Sequence, residues 1–180
     1  MFRCIPILLL IAAFSSASTV DLAGNDRDPF QSPARARIFI FLRTDCPISN
    51  RYAPELRRFL NQFEDQSIEL WLVYPDPSET ARDVSKHVAT YGFPGNPLRD
   101  PHHELVKRAH ANAAPEAAVF DSEGKLVYHG RIDDLWVDVG TARPMARTHD
   151  LEDAVLAVIE GRPVRQPETR AIGCSLADVK

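Results

Sequence analysis

The sequence has no hydrophobic run long enough to cross a bilayer as a helix, which takes about 20 apolar residues. Its longest apolar stretch, from Ile5 to Phe14, follows the basic residue Arg3 and precedes a group of small residues. This arrangement is typical of a secretory signal peptide. We therefore predict that residues 1–18 are removed on export, and that the remaining protein is secreted or periplasmic with no stable membrane insertion.

Basic clusters are also missing. The chain has 21 Lys and Arg against 25 Asp and Glu, which gives a formal net charge of −4 at neutral pH. A mildly acidic protein without a basic patch has no electrostatic attraction for phosphate backbones or anionic lipids. Nucleic acid is therefore excluded as an expected partner. The length of 180 residues suits one domain with a sizeable core.

Cysteine is scarce, and no two cysteines are close enough in sequence to form a short redox or zinc motif. Cys4 lies in the predicted signal peptide, which leaves Cys46 and Cys174 in the exported chain. In an oxidising compartment an even number makes a disulfide the first hypothesis. No histidine is spaced from these cysteines as in a metal motif, so no metal site is assigned. Four histidines lie on predicted helices and are expected at the solvated surface: His87, His102, His103 and His110.

Strand-like and helix-like patterns alternate between residues 37 and 161, the predicted domain. The predicted strands are 37–42, 67–76 and a late hairpin around the turn DSEG; the predicted helices are an apolar stripe from Tyr52 to Phe63, then 78–92, 99–111 and 151–161. This order predicts an α/β fold with parallel early strands and an antiparallel late hairpin. Residues 19–36 are predicted to be a flexible leader, and 162–180 an irregular C-terminal tail that carries Cys174.

Three segments in this order resemble a known family. A strand leads into TDCPIS and a helix, with Pro54 eight residues beyond Cys46. The second segment is AAPEAAVFDSEGKLVYHGRIDD (113–134), and the third is PLRDPHHELVKRAHA. Together they resemble the thioredoxin-like superfamily, on its redoxin branch of alkyl hydroperoxide reductase and thiol-specific antioxidant type. The resemblance implies a three-layer α/β/α sandwich with a central mixed sheet, in which Pro115 matches the family's cis-proline.

The sequence departs from the best-known active-site patterns of these proteins. Thioredoxins carry Cys-x-x-Cys, but Ser49 stands where the second cysteine would be. Peroxiredoxins place Thr or Ser three residues before the reactive cysteine, whereas Thr44 is two residues before Cys46. Sco-type copper chaperones use Cys-x-x-x-Cys, and Asn50 occupies that last position. The resemblance therefore implies the scaffold more strongly than the chemistry.

Cys46 is the predicted nucleophile because it precedes a helix, where backbone N–H groups favour the thiolate. Ser49 cannot resolve a mixed disulfide, so Cys174 is the predicted resolving cysteine. If Pro115 is cis, its loop presents backbone groups to an extended thiol substrate beside the sulfur. The predicted catalytic residues are Cys46 and Cys174, and the predicted substrate-binding residues are Thr44, Pro47, Pro115 and Glu116.

These observations predict an exported thiol–disulfide oxidoreductase or thiol peroxidase-like redoxin that needs no organic cofactor. Its partners would be a thiol or disulfide protein substrate, or a peroxide, together with an external thiol reductant. Four alternatives stay open at this point. Cys46 and Cys174 form a permanent structural disulfide, or together with a histidine they bind copper(I) as a metal carrier, or Cys174 pairs with another chain, or the domain is a non-catalytic thioredoxin-like binding module.

Overall fold

A computed structural model describes residues 19–176, so the predicted signal peptide lies outside the described residues. In chain order the elements are β1 (Ala36–Phe41), α1 (Pro47–Arg51), α2 (Ala53–Gln62), β2 (Ile68–Tyr74), α3 (Ala81–Tyr91), β3 (Asn96–Arg99), α4 (Glu104–Ala109), β4 (Ala113–Ala114), β5 (Glu116–Asp121), β6 (Leu126–Gly130), β7 (Trp136–Asp138), β8 (Thr141–Ala142), α5 (Asp150–Ile159) and β9 (Cys174–Ser175). None of the helices within residues 19–176 is long and apolar enough to span a membrane.

Five strands form the central sheet in the order β3-β2-β1-β5-β6. The first three run parallel, and β5 and β6 add to them in antiparallel fashion. The predicted mixed sheet is therefore confirmed. Parallel neighbours need crossover helices, which explains why the helical and strand patterns alternate early in the chain.

The strand β1 lies at the centre of the sheet and buries side chains on both faces. Ile38 and Ile40 belong to one apolar cluster, while Phe39 and Phe41 belong to the other. Successive strand residues point to opposite faces, so an unbroken apolar run indicates a layer on each side. Helices α2, α3 and α5 contribute to the first cluster and α4 to the second. This confirms the three-layer sandwich.

The predicted helix over 99–111 is wrong in its first half. Residues 96–99 form β3 beside β2, and α4 begins only at Glu104. Asp100 is fully buried, and its carboxylate accepts hydrogen bonds from Glu104 N at 2.8 Å and Val106 N at 3.0 Å. Asp100 thus caps the helix from across a turn, a geometry that local spacing alone does not reveal. Between β6 and α5, where the sequence predicts neither a strand nor a helix, the chain forms the short hairpin β7–β8.

The segments on either side of the predicted domain both attach to the sheet. The leader residue Val20 pairs with Arg99 on β3 through two backbone hydrogen bonds of 2.9 and 3.0 Å. After α5 the tail runs beside β6, where His129 N donates to Pro167 O at 3.0 Å and Thr169 N donates to His129 O at 3.1 Å. A Cβ on Gly130 would lie 2.3 Å from Thr169 O, so only glycine admits the tail there.

Candidate functional site

Cys46 lies between the end of β1 and the start of α1. It is the N-cap residue of α1, its carbonyl accepts a hydrogen bond from Asn50 N at 3.2 Å, and Pro47 occupies the first helical position. Proline suits this place because a first-turn residue has no intrahelical use for its N–H. The side chain of Cys46 is fully buried. A thiol at this position is held rigidly and is shielded from bulk water.

The loop that carries Pro115 lies against this sulfur. The peptide bond between Ala114 and Pro115 is cis. The Cys46 thiol donates a hydrogen bond to the carbonyl of Ala114, with Sγ and O separated by 3.1 Å. The structure therefore brings together the nucleophile and the cis-proline loop, two features that the sequence places 69 residues apart.

The tail supplies the second thiol. The strand β9 pairs antiparallel with β4, so that Cys174 lies opposite Ala114 and Ser175 lies opposite Ala113. The Cys174 sulfur is near enough to that of Cys46 for each to shift the pKa of the other, and both cysteines are free thiols. Cys46 is buried, whereas Cys174 is only partly so. Two cysteines separated by most of the domain thus meet at one point.

The surroundings of the two sulfurs lower the pKa of Cys46 and raise that of Cys174. Burial by itself raises the pKa of Cys46, but hydrogen bonds from the Cys174 thiol and from Ser49 favour the thiolate and bring the pKa below its ordinary value. Burial, the hydrogen bond to Cys46 and repulsion by its charge raise the pKa of Cys174 to about 12. Of the two sulfurs, Cys46 is therefore the one that ionises first, and Cys174 is the one that keeps its proton.

Ser49 has a role that sequence reasoning missed. The residue is fully buried, and its hydroxyl has no hydrogen-bond partner among residues 19–176. When Cys46 ionises, the Ser49 hydroxyl and backbone N–H both act as donors to the sulfur and lower its pKa. An orphaned buried hydroxyl costs free energy that ionisation of the neighbouring thiol recovers. The sequence showed Ser49 only as the absence of a second cysteine.

Replacing this hydroxyl tests its effect on the thiolate. We expect Ser49→Ala to raise the pKa of Cys46, because one donor to the anion is lost while the buried volume is nearly kept. The pKa is measured from the ultraviolet absorbance of the thiolate during a pH titration, which needs no reagent to reach the sulfur. Ser122→Ala, on the hairpin turn away from the site, is the matched control. An unchanged titration in Ser49→Ala would contradict the assigned role.

Arg43 connects the nucleophile's loop to the tail. Its guanidinium forms an ion pair with Asp45 at 2.9 Å and donates a hydrogen bond to Ser175 O at 3.1 Å. The positive charge also lowers the pKa of Cys174 in part, against the larger effects of burial and Cys46. The neighbouring Thr44 N donates to Glu79 Oε1 at 2.6 Å, which anchors the loop from the other side.

Glu116, predicted from the sequence as a substrate contact, faces the protein. It is buried, and its Oε2 accepts hydrogen bonds from Asn112 N at 2.8 Å and Ala113 N at 3.0 Å. Its other oxygen lies 3.5 Å from His129 Nδ1. A carboxylate engaged in this way holds the cis-proline loop in shape. Its position favours support of the loop over contact with a substrate.

One group of side chains within residues 19–176 has the composition of a metal site. Ligand atoms of Glu55, Asp133 and His149 all lie within 4.8 Å of one another. However, Arg58 forms an ion pair with Glu55 at 2.6 Å, and the Tyr52 hydroxyl donates to Asp133 at 2.6 Å. These carboxylates already have partners, and the group contains neither cysteine. It is a polar network beside the candidate active site.

Comparison with known proteins agrees with this fold. Residues 21–129 match the AhpC/TSA family. The chain belongs to this family. Membership supports a thiol oxidoreductase as its general class, and confirms the resemblance to redoxins. Among curated proteins, no sequence relative was found.

Solved structures share the fold over most of the chain. An uncharacterized conserved protein from Geobacillus kaustophilus has a TM-score of 0.74 at 24% identity, covering 88% of this chain and 86% of the other. A hypothetical protein from Sinorhizobium meliloti 1021 has a TM-score of 0.71 at 27% identity, covering 89% and 91%. A secreted Mycobacterium tuberculosis disulfide oxidoreductase has a TM-score of 0.55 at 14% identity, covering 81% and 96%. These similarities confirm the thioredoxin-like fold of this AhpC/TSA member.

Proposed function

We propose that this AhpC/TSA protein is an exported thiol–disulfide oxidoreductase, or a thiol peroxidase-like redoxin, in which Cys46 and Cys174 form the redox pair. The observation that carries the proposal is that both cysteines lie against Ala114: the Cys46 thiol donates to its carbonyl, and Cys174 pairs with it in the β4–β9 ladder. Cys46 supplies the nucleophilic thiolate and Cys174 supplies the resolving thiol. Cys174 takes the role of the second cysteine of a Cys-x-x-Cys motif, a position that Ser49 occupies here.

In the first step the Cys46 thiolate attacks one sulfur of a substrate disulfide. A Cys46–sulfur bond forms, the substrate S–S bond breaks, and the first substrate thiolate leaves and takes up a proton. With a hydroperoxide, the same thiolate attacks the outer oxygen, the O–O bond breaks, and the products are a Cys46 sulfenic acid and an alcohol or water. Hydrogen bonds from Ser49 lower the pKa of Cys46, so a larger fraction of it is the reactive thiolate.

In the second step Cys174 attacks the modified Cys46 sulfur. Once Cys46 is bonded to substrate it carries no charge, so the repulsion and hydrogen bond that raise the pKa of Cys174 are removed. Arg43, which remains, favours the Cys174 thiolate. A Cys46–Cys174 disulfide forms and the second substrate thiol, or water from the sulfenic acid, leaves. The first attack therefore activates the group that completes the reaction.

Regeneration requires an external thiol reductant, because each turnover oxidises the pair by two electrons. Cys174 is partly exposed and Cys46 is buried, so the external thiolate attacks the Cys174 sulfur. Cys46 leaves as the thiolate that its surroundings favour. A second external thiol then attacks the mixed disulfide, which restores the Cys174 thiol and releases the oxidised reductant as a disulfide.

Export is part of the proposal. The pattern of residues 1–18 predicts a signal peptide, and a structurally similar Mycobacterium tuberculosis disulfide oxidoreductase is secreted. A protein of this kind works where substrate disulfides form and persist.

Copper(I) binding by the same two sulfurs is the rival function. It requires two thiolates, but burial, together with the hydrogen bond and charge of Cys46, raises the pKa of Cys174 to about 12. Within residues 19–176 no histidine joins the cysteines in a group of three or more potential ligands. Thiol exchange, which uses one thiolate and one thiol, fits this arrangement better.

Substitution of the cysteines tests the proposed function. The reduced protein is mixed with a small aromatic disulfide or with cumene hydroperoxide, and consumption of a thiol reductant is followed. Cys46→Ser is expected to reduce turnover to background, because a hydroxyl does not exchange with sulfur. Cys174→Ser is expected to react once and stall as a mixed disulfide or a sulfenic acid, seen by mass spectrometry.

The two substrates also distinguish disulfide exchange from peroxide reduction, because turnover is expected only with the substrate class on which the protein acts. Full activity in Cys46→Ser, or turnover of Cys174→Ser at the wild-type rate, would contradict the redox pair. Tight binding of one copper(I) by the reduced wild-type protein, without turnover of either substrate, would favour the carrier function instead.

A further inference from the structure

The last described residues of the chain lie against the cis-proline loop, where β9 pairs with β4. We name residues 172–176, with sequence IGCSL, the tail strand. Besides the pairing of β9 with β4, Leu176 N donates to Asn112 O at 3.0 Å, and Arg43 donates to Ser175 O. Residues 174–176 of the tail strand are therefore held by backbone hydrogen bonds, in the way that an extended peptide adds to an exposed edge.

Two apolar side chains anchor the tail strand on either side of the cysteine. Leu176 is 5% exposed and belongs to the apolar cluster that contains Phe41 and Ala114. Ile172 packs against the other cluster. Each anchor is two residues from Cys174 along the chain, and the two pack against different clusters. The groove under the tail strand thus has two apolar subsites, one on either side of the position that Cys174 occupies.

Gly173 fits this groove because of a close contact. A Cβ at this position would lie 2.2 Å from Ala114 O and 2.6 Å from Ala114 C. The φ angle of Gly173 is outside the left-handed region, so the backbone conformation itself does not require glycine. The surface of the cis-proline loop therefore excludes any side chain on the residue that precedes the bound cysteine.

Cys46 is inaccessible while the tail strand is in place. Its side chain is fully buried, with Ala114 O and Cys174 among its contacts. A protein disulfide has to place one sulfur where the Cys174 sulfur lies. It reaches that point only when the tail strand has left the groove.

We propose that a partner protein binds through an extended, cysteine-bearing segment in the groove that the tail strand occupies, and that segment and tail strand exchange for this one site. The inference rests on the proposed function of Cys46 and names its substrate class. The favoured segment has glycine before the cysteine and an apolar residue two positions on either side of it, as the tail strand has. Its cysteine is part of a disulfide.

The exchange also makes the tail strand responsible for releasing the partner. After the Cys46 thiolate attacks the partner's disulfide, the partner segment is bonded to Cys46 and occupies the groove. When the tail strand returns, Cys174 attacks the Cys46 sulfur, the bond to the partner breaks, and the partner's cysteine leaves as a thiolate that takes up a proton. Resolution and displacement of the reduced partner are then one event.

A peptide with the sequence of the tail tests the groove directly. The peptide AIGCSLA carries thionitrobenzoate on its cysteine, and attack by Cys46 on the peptide sulfur releases the coloured thiol. We expect reduced wild-type protein to react about tenfold faster with this peptide than with AIACSLA, because about 1.4 kcal/mol of binding lost to the added methyl is a factor of ten. AIGCSDA is expected to be similarly slow, since it places a charge in the apolar subsite.

Variants of the full chain test the competition. Gly173→Ala is expected to release the tail strand and to increase the rate with AIGCSLA about tenfold. Ser122→Ala, on the exposed hairpin turn away from the groove, is the control. Circular dichroism verifies that both variants fold, and the peptide comparison on the wild-type protein does not depend on either.

The outcomes separate this inference from the proposed function. Equal rates for AIGCSLA and AIACSLA would show that the groove does not recognise the segment, and unchanged rates in Gly173→Ala would show that the tail strand does not compete for it. Release of thionitrobenzoate by Cys46→Ser at the wild-type rate would overturn the proposed function itself.

Discussion

Oxidation of the protein is expected to join Cys46 and Cys174 within one chain and to raise the free energy of unfolding by up to about 5 kcal/mol. The bond would close a loop of about 128 residues, and a loop of that length removes much conformational freedom from the unfolded chain. The tail strand already lies on the cis-proline loop in the reduced protein. Little native structure therefore has to rearrange, which favours a gain near the upper end.

Urea unfolding of the oxidised and reduced proteins measures this difference. The oxidised form should unfold at higher urea, and mass spectrometry after proteolysis should show one intramolecular link between the two cysteines. Cys174→Ser is the control and should show the same midpoint under both conditions. Oxidation that yields only disulfide-linked dimers, or no change in midpoint, would contradict the juxtaposition of the sulfurs.

Acidification is expected to destabilise the protein by up to about 3 kcal/mol through one buried histidine. His87 is 5% exposed, and its ring hydrogen-bonds the Tyr74 hydroxyl at 2.9 Å and Asn50 Oδ1 at 2.6 Å. It also stacks on Phe93, with ring centroids 5.0 Å apart. Burial lowers the pKa of His87 from 6.5 to about 4, because the imidazolium would lose its hydration.

The sign of the effect follows from proton binding in the two states. Between a pKa of about 6.5 in the unfolded chain and about 4 in the folded protein, only the unfolded chain binds the proton. Stability from His87 is therefore complete above the unfolded pKa and is lost as the pH falls through this window. Burial raises the pKa of three carboxyl groups, Glu79, Asp100 and Asp133, and these oppose the loss.

Comparison of variants isolates the histidine, since the carboxyl contributions are common to all of them. Urea midpoints of wild type and His87→Gln are measured from neutral pH down to about pH 4, the folded pKa. His87→Gln should be less stable at neutral pH, because hydrogen bonds and packing are lost, but its midpoint should fall less on acidification. The exposed His102→Gln should follow the wild type. A parallel pH dependence in wild type and His87→Gln would contradict the assignment.

His87 also shows where helical periodicity was insufficient. Its place on a predicted helix predicts a solvated position for it. That prediction is wrong, because α3 packs His87 against Tyr74 on β2 and Asn50 on α1. A histidine on an amphipathic helix is equally compatible with either face, and contacts from distant elements decide between them.

The order of elements and the position of Cys46 could be predicted from the sequence. Apolar runs such as 37–42 and the stripe from Tyr52 to Phe63 are local patterns, and local patterns are what period and turn chemistry describe. The edge strand β3 could not be predicted in this way. Its sequence NPLR has no apolar run, and it forms because β2 offers a parallel edge.

By itself, the sequence determined an α/β redoxin scaffold with one cysteine at a helix start and another in the tail. Their meeting was only a hypothesis, because 128 residues of separation carry no information about distance. Tertiary structure decided it through contacts that no local pattern encodes: the tail beside β6, Gly173 against Ala114 O, and Ser49 beneath the sulfur. Secondary structure follows from neighbours along the chain, whereas this candidate site follows from neighbours in space.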